Sequence, residues 1–299
     1  MRFIIRTPDV RGPRPPGVTR GWLHVLMTTV PAEPRVTRYT VGLARTAAEL
    51  REAQRLRHLV FAEELGAHLD SPVSGLDADR LDAYCDHLLV RHGDTGEVVG
   101  TYRLLPPGRA DRLYAESEFD LSALAGLRAG LVEAGRACVH ADHREGAVVG
   151  LMWSGIARYM IDGGYGWLAG CCSVPASRAG EVMDRITFGP PEYRVTPLRP
   201  WRAPEGAHPD RPAPEGARPG YPASASGSGT RPASTSGPAG ERAGQAGLPA
   251  LLRGYLRLGA WVCGPPADDP AFGVADFFVL LPMAAVSPRH LRHFLGGRE

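Results

Sequence analysis

The stretch Val132–Trp153, VEAGRACVHADHREGAVVGLMW, decides how the chain reads. It opens as an apolar strand and passes through a polar turn that ends in Gly146. It then runs on as a helix with Val148, Met152, Ile156 and Tyr159 on one face. A strand that feeds a glycine turn and a helix start presents backbone N–H groups with no partner inside the helix. Such a terminus can hold phosphate, because its N–H groups and the helix dipole both favour negative charge. Taken alone, the same pattern also fits an ordinary strand–helix turn.

The elements on either side follow from periodicity. Arg38–Ala44 predicts a short strand. Thr46 with Glu49 predicts a capping box, ahead of a helix carrying Leu50, Ala53, Leu56 and Val60. His87–Arg91 and Glu97–Leu105 predict strands joined by the turn His92-Gly93-Asp94-Thr95-Gly96. The central strand spans Leu131–His140, and Gly163-Gly164 ends the helix that follows. Trp167–Val174, Leu256–Cys263 and Asp276–Leu281 predict further strands, with Arg289–Phe294 as a closing helix. This order predicts a mixed α/β sheet, without internal repeats.

The flanks differ in composition. Residues 1–37 lack periodicity and read as a flexible extension, in which Met27 is a candidate start and residues 1–26 are dispensable. From 203 to 247 the chain is Pro, Gly, Ala, Ser, Thr and charge, with Tyr221 as its one large apolar residue. Such a segment buries too little surface to offset its ordering entropy, so disorder is expected. It interrupts a domain rather than separating two. Residues 248–299 are too short to fold alone, and their strands need partners in 38–202.

Composition excludes several chemistries. The 299 residues carry a net charge of +2 and are 43% hydrophobic, enough for a real core and no case for nucleic acid. No apolar run is long enough to cross a membrane, and the first thirty residues do not read as a secretory signal. The chain has no Lys and no Asn. A Walker A loop and a Schiff-base lysine are therefore excluded. The five cysteines, Cys85, Cys138, Cys171, Cys172 and Cys263, form no CxxC pair. They read as buried strand thiols in a reducing cytoplasm. His140 and His143, beside Asp142, lack a third ligand at usual metal spacing, so no metal is expected.

Some residues stand out on chemistry. Arg103 sits in the apolar strand TYRLL, and a buried Arg needs a carboxylate or phosphate partner. A structural salt bridge to Glu133, or to a carboxylate of the first helix, is the plainer reading. Glu133 and Arg136 stand three apart on one strand, hence on opposite faces unless a bulge at Ala134-Gly135 intervenes. Glu133 either pairs with Arg103 or Arg136 or serves as a general base. No G-x-S-x-G elbow occurs, and Cys138 is better read as a core thiol than as a nucleophile.

Four stretches together resemble the ornithine–acyl carrier protein N-acyltransferases of the GNAT superfamily. The first is RLRHLVFAEELG (55–66) with LDAYCDHLLV (81–90), and the second GEVVGTYRLLPP (96–107) with YAESEFDL (114–121). The third is VEAGRACVHADHREG (132–146), and the last LPALLRGYLRLGAWVCGPPADD (248–269) with DFFVLL (276–281). They cover 38–202 and 248–299. The acyl-homoserine-lactone synthases share a fainter form of the first three.

The resemblance implies a GNAT-like fold and direct attack of an amine on a thioester, with no cofactor beyond the carrier's phosphopantetheine. Acyl carrier protein is the implied donor and ornithine the implied acceptor, with the product suggesting peripheral membrane contact. The family's usual turn is Arg/Gln-x-x-Gly-x-Gly/Ala. Here His143, Gly146 and Val148 fall in register and Arg144 one place late, so the motif is degenerate. Val139, Arg144, Gly146, Ala147 and Val148 are the implied phosphopantetheine-binding residues. The oxyanion would rest on backbone N–H groups of Arg136–Val139. Glu133 is the implied general base, and Arg57, Phe61, Asp82, Arg103 and Arg136 the implied substrate-binding residues. Arg57 matches the family's Arg-x-x-x-Phe, with Phe61 shaping the donor pocket and Glu64 three residues on. Asp82, or Asp86, would hold the distal ammonium of a diamino acid. Another amino acid acceptor, lactone synthesis and a degenerate binding module remain as alternatives. The first two are separated from ornithine acylation by product, and the third by thiol release from acyl carrier protein.

Overall fold

The computed structural model describes residues 38–144, 146–203, 248–270 and 272–296. The expectations for residues 1–37, including a start at Met27, and for 204–247 lie outside the described residues. Strands β1 (Tyr39–Leu43), β2 (Asp86–His92), β3 (Val98–Leu105), β5 (Leu131–Val139) and β6 (Trp167–Pro175) lie side by side in that order. Strand β4 (Phe119–Asp120) instead pairs with β7 (Thr196–Pro197). Next to β6 comes β10 (Val274–Pro282), which also pairs with β8 (Trp261–Val262) and β9 (Ala267–Asp269). Every ladder of the main sheet is antiparallel except β5 with β6.

The sheet is covered on both faces. On β10, Ala275, Phe277, Val279 and Leu281 enter one apolar cluster, while Phe278 and Leu280 enter another. This is the period-two alternation of a strand buried on both sides. The first cluster takes helix α2 (Ala147–Asp162) through Val148, Met152, Ile156 and Met160. Gly100 of β3 lets α2 come close, since a Cβ there would lie 2.6 Å from Val148 Cγ1. On the opposite face, helix α1 (Ala47–His58) packs Leu56 against Cys138 of β5. The expected capping box holds its start: Glu49 N–H donates to Thr46 Oγ1 (3.2 Å) and Thr46 N–H to Glu49 Oε2 (3.1 Å). A π-helical turn, Leu59–Glu64, continues it.

One element differs in kind. The expected strand Leu256–Cys263 is instead the end of a helix, Gly259 in the left-handed region (φ 98°), and the two-residue β8. Leu252, Tyr255 and Leu258 recur at helical spacing and are buried. The apolar run LGAWVC hid that period, and Gly259 marks the break as a helix cap does. After the short helix α3 (Ala179–Met183), this helix is α4 (Ala250–Leu258), and α5 (Pro288–Leu295) closes the described chain. No helix among the described residues is long and apolar enough to cross a membrane.

Candidate active site

Strands β5 and β6 pair in parallel over three rungs only, Leu131–Trp167, Val132–Leu168 and Glu133–Ala169. Beyond Glu133 they diverge, while β6 stays paired with β10 along its whole length. At the point of divergence Gly170 abuts the Ala134 carbonyl, where a Cβ would lie 2.3 Å from that oxygen. The result is a wedge whose two strand edges lack each other as partners. β5 is irregular on its other side as well. Arg103 pairs with Gly135 and Thr101 with Cys138, so two residues, Arg136 and Ala137, oppose Tyr102 alone. The bulge therefore falls at Arg136-Ala137, not at Ala134-Gly135. Arg136 takes φ 51°, the sole positive φ of a non-glycine among the described residues. The bulge puts Glu133, Gly135 and Arg136 on the same face as Arg103.

The mouth of the wedge leads to the turn before α2. Gly146 caps that helix at φ 97° and has no side chain to bond its first N–H groups; among the described residues no side chain bonds the N–H groups of Ala147 or Val148. Backbone N–H groups at a helix start are suited to an anion. Arg144 is otherwise engaged. Its Nη1 and Nη2 donate to Glu64 at 2.5 and 2.6 Å, and its Nε donates to the Val139 carbonyl at 3.0 Å. It braces the turn against the π-helical turn rather than offering a free cation. The histidines are also placed: His140 Nδ1 accepts from Asp142 N–H (3.3 Å), and His143 Nδ1 bonds the Tyr39 hydroxyl (2.9 Å).

The charged residues of the sequence form one buried network. Arg57 is fully buried. Its Nε donates to Asp77 Oδ2 (2.9 Å), Nη1 and Nη2 to Asp82 Oδ1 and Oδ2 (3.0 and 2.8 Å), and Nη2 also to the Asp77 carbonyl. Gln54 Nε2 donates to Asp82 Oδ2 at 2.8 Å. Arg103 Nη1 reaches Asp79 Oδ2 (2.6 Å) and Asp82 Oδ1 (3.1 Å), so its partners are neither Glu133 nor a carboxylate of the first helix. Arg136 Nε lies 3.2 Å from Asp77 Oδ2. Burial alone would raise Asp82, but Arg57, Gln54 and Arg103 hold it well below the usual carboxylate range. Asp79 is lowered too, its burial outweighed by Arg103. Each of the three arginines thus has an aspartate, and Asp82 is too engaged to hold a ligand's ammonium. Arg57 is sealed away from any substrate. Phe61 is half-buried against Leu56, Val60 and Cys138. Asp86 accepts from Tyr159 Oη at 2.7 Å.

Glu133 sits at the last paired rung and is 6% exposed. Its oxygens accept the N–H groups of Tyr114 (2.7 Å) and Ala115 (2.8 Å), at the start of a short 3-10 turn. Burial raises its pKa, and those two N–H groups offset only part of the rise. It makes no pair with Arg136. The thiols are poor nucleophiles: burial lifts Cys138 to about 12 and Cys171 well above the ordinary thiol value. All five cysteines are unpaired, with Cys138, Cys172 and Cys263 buried and the other two half-buried.

Across the wedge lies a second acidic group that sequence reading missed. Carboxylate oxygens of Glu118, Asp269 and Asp276 lie within 4.8 Å of one another, a spacing that could also hold a cation. Asp276 is 3% exposed, and its Oδ1 accepts from Ser173 Oγ at 2.5 Å. Glu118 Oε2 is sealed from solvent and, among the described residues, lies within ordinary hydrogen-bond geometry of no donor. Burial and repulsion from Asp276 push Glu118 up to about 8, and burial with repulsion from Asp269 pushes Asp276 up to about 6. Arg136 separates the two networks, its guanidinium 5.2 Å from the Tyr114 ring and 5.8 Å from the Phe272 ring. A lone Asp in the apolar strand VADFFVLLP carries the same signal as Arg103 in TYRLL, and would have drawn attention to Asp276.

Residues 56–154, which hold the bulge, the splayed β5 and the start of α2, match the acetyltransferase (GNAT) domain family, and with the relatives that follow this makes the protein an acyltransferase of the GNAT class. The chain is 33% identical over 288 residues to the L-ornithine N(alpha)-acyltransferase of Rhizobium meliloti, covering 87% of this chain and 85% of that protein. It is 33% identical over 262 residues to that of Rhodobacter capsulatus, covering 84% and 93%. The chain belongs to the L-ornithine N(alpha)-acyltransferase family. Among solved structures, a CoA-dependent acyl-homoserine lactone synthase aligns with a TM-score of 0.46 at 15% identity, over 85% of either chain.

Proposed function

We propose that this enzyme moves a fatty acyl chain, plain or 3-hydroxylated, from acyl carrier protein to the α-amine of ornithine, the first step of ornithine lipid synthesis. What supports this reading is the wedge, with the N–H groups of the α2 start at one end and the buried carboxyl groups of Glu118 and Asp276 along its side. The phosphate of the carrier's phosphopantetheine rests on the N–H groups of Ala147 and Val148, and the arm lies between β5 and β6. No cofactor of the enzyme's own is required.

The amine attacks the thioester carbonyl, the C–N bond forms, and the C–S bond breaks to release the carrier thiol. Backbone N–H groups of Arg136–Val139, loosened by the bulge, receive the oxyanion. A carboxylate takes the proton lost from nitrogen. Glu133 can do so on a lone pair that its two N–H donors leave open, and so can the Glu118–Asp276 pair, whose negative charge suits a dicationic acceptor.

The test is acyl transfer from 3-hydroxyacyl carrier protein to a panel of amino acids, followed by mass spectrometry. Transfer to ornithine, reduced at least a hundredfold by Glu118→Gln with Asp276→Asn, supports the reading. Glu133→Gln, run alongside, separates the two carboxylate assignments. Transfer to a different amine alone, or none from a folded protein, overturns it.

A further inference from the structure

Helices α4 and α5 carry charge of one sign only. Both pack on Trp153 of α2, whose ring lies 4.8 Å from that of Tyr255 and 6.4 Å from that of Phe294. Their inner faces are fixed. Leu252, Tyr255 and Leu258 are buried, the Tyr255 hydroxyl meets that of Tyr102 at 2.8 Å, and Leu291 and Phe294 lean on the same core. Their other charged residues are all basic: Arg253 and Arg257 on α4, and Arg289 and Arg292 on α5 with His290 and His293. Neither helix contains an Asp or Glu. Arg257, Arg289 and Arg292 are exposed, and among the described residues none of the four arginines is in an ion pair. Leu295 is 36% exposed beside them, and Leu256 is half-buried.

The contrast with α1 is informative. Its exposed Arg51 and Arg55 stand among Glu49 and Glu52, both of which pair with Arg91. The α4–α5 face has cations without such acids, with Leu295 exposed at the end of α5 much as Leu59 is after α1. That combination matches an anionic lipid interface, where arginine heads meet phosphate and short apolar side chains enter the headgroup boundary. An acidic protein would complement the charge but has less use for the exposed leucine.

We infer that the α4–α5 face is a peripheral docking surface for an anionic phospholipid membrane. The inference stands on the surface itself. Its use rests on the proposed reaction, whose acylated product belongs in a bilayer.

The test needs no substrate, so it can fail or succeed independently of the reaction. The full chain is sedimented with vesicles of phosphatidylcholine alone and of phosphatidylcholine mixed with phosphatidylglycerol. Binding to the mixed vesicles only, weakened by salt, is expected. Each arginine removed should weaken it about fivefold. Arg289→Ala with Arg292→Ala should therefore lose more than tenfold, and Arg253→Ala with Arg257→Ala provides a second pair should the first fail to fold. Arg51→Ala with Arg55→Ala removes the same charge from α1 and should lose little. Absence of binding to mixed vesicles, or equal loss from the α1 pair, overturns the inference. So does a helix variant that keeps vesicle binding but no longer binds acyl carrier protein, since the face would then serve a protein partner.

Discussion

Arg57 Nη2 lies 2.8 Å from Asp82 Oδ2, with the two side chains 1% and 4% exposed. These residues, 25 apart in sequence, tie α1 to the segment leading into β2. A buried charge stripped of its partner costs far more than the pair contributes. Asp82→Asn should therefore destabilise the protein by about 3–5 kcal/mol, read from urea unfolding. A loss below about 1 kcal/mol would mean that water reaches this network.

The wedge is set by a glycine. Gly170→Ala puts a Cβ against the Ala134 carbonyl, which is backbone and cannot swing aside. The expected cost is about 1–3 kcal/mol, with β5 and β6 forced further apart. A raised KM for the acyl donor with kcat changed less would show that the wedge holds the donor. An unchanged KM in a folded variant would place the donor elsewhere.

Arg136 combines an unfavourable backbone with contacts to Asp77, Asp79, Tyr114 and Phe272. Arg136→Ala and Arg136→Gly both remove the contacts, but only Gly is at ease at φ 51°. The Gly variant should be more stable than the Ala variant by about 1–2 kcal/mol in denaturant unfolding. Equal stabilities would show that the bulge relaxes once the guanidinium is gone.

Glu118 and Asp276 make stability depend on pH. Burial raises both carboxyls, so their protonated forms are favoured in the folded state. The unfolded chain binds fewer protons than the folded one between the ordinary carboxylate range and about 8. Their contribution is therefore fully present below about pH 4 and is lost as pH rises through 6 and then 8. Tm measured from pH 5 to 9 should fall more steeply in the wild type than in Glu118→Gln with Asp276→Asn. Parallel curves would show that the pair is not strained by its surroundings.

The sequence by itself determined what local physics encodes. The Thr46–Glu49 box, the strand–turn–helix at 132–153 and the apolar strand runs were legible because their signals lie within a few residues. The uncapped start of α2 was legible for the same reason. Leu256–Cys263 was misread because its apolar run blurs two periods, and only the position of Gly259 separates them. Tertiary structure alone decided which charges meet. Arg57, Arg103 and Arg136 find aspartates 20 to 59 residues away, and Asp276 meets Ser173 across 103 residues. Such pairings depend on which strands lie adjacent, and a buried ion takes whatever partner the packing brings within reach. The one-residue bulge that turns Arg136 onto the face of Glu133 is likewise a property of the β3–β5 ladder and not of either strand.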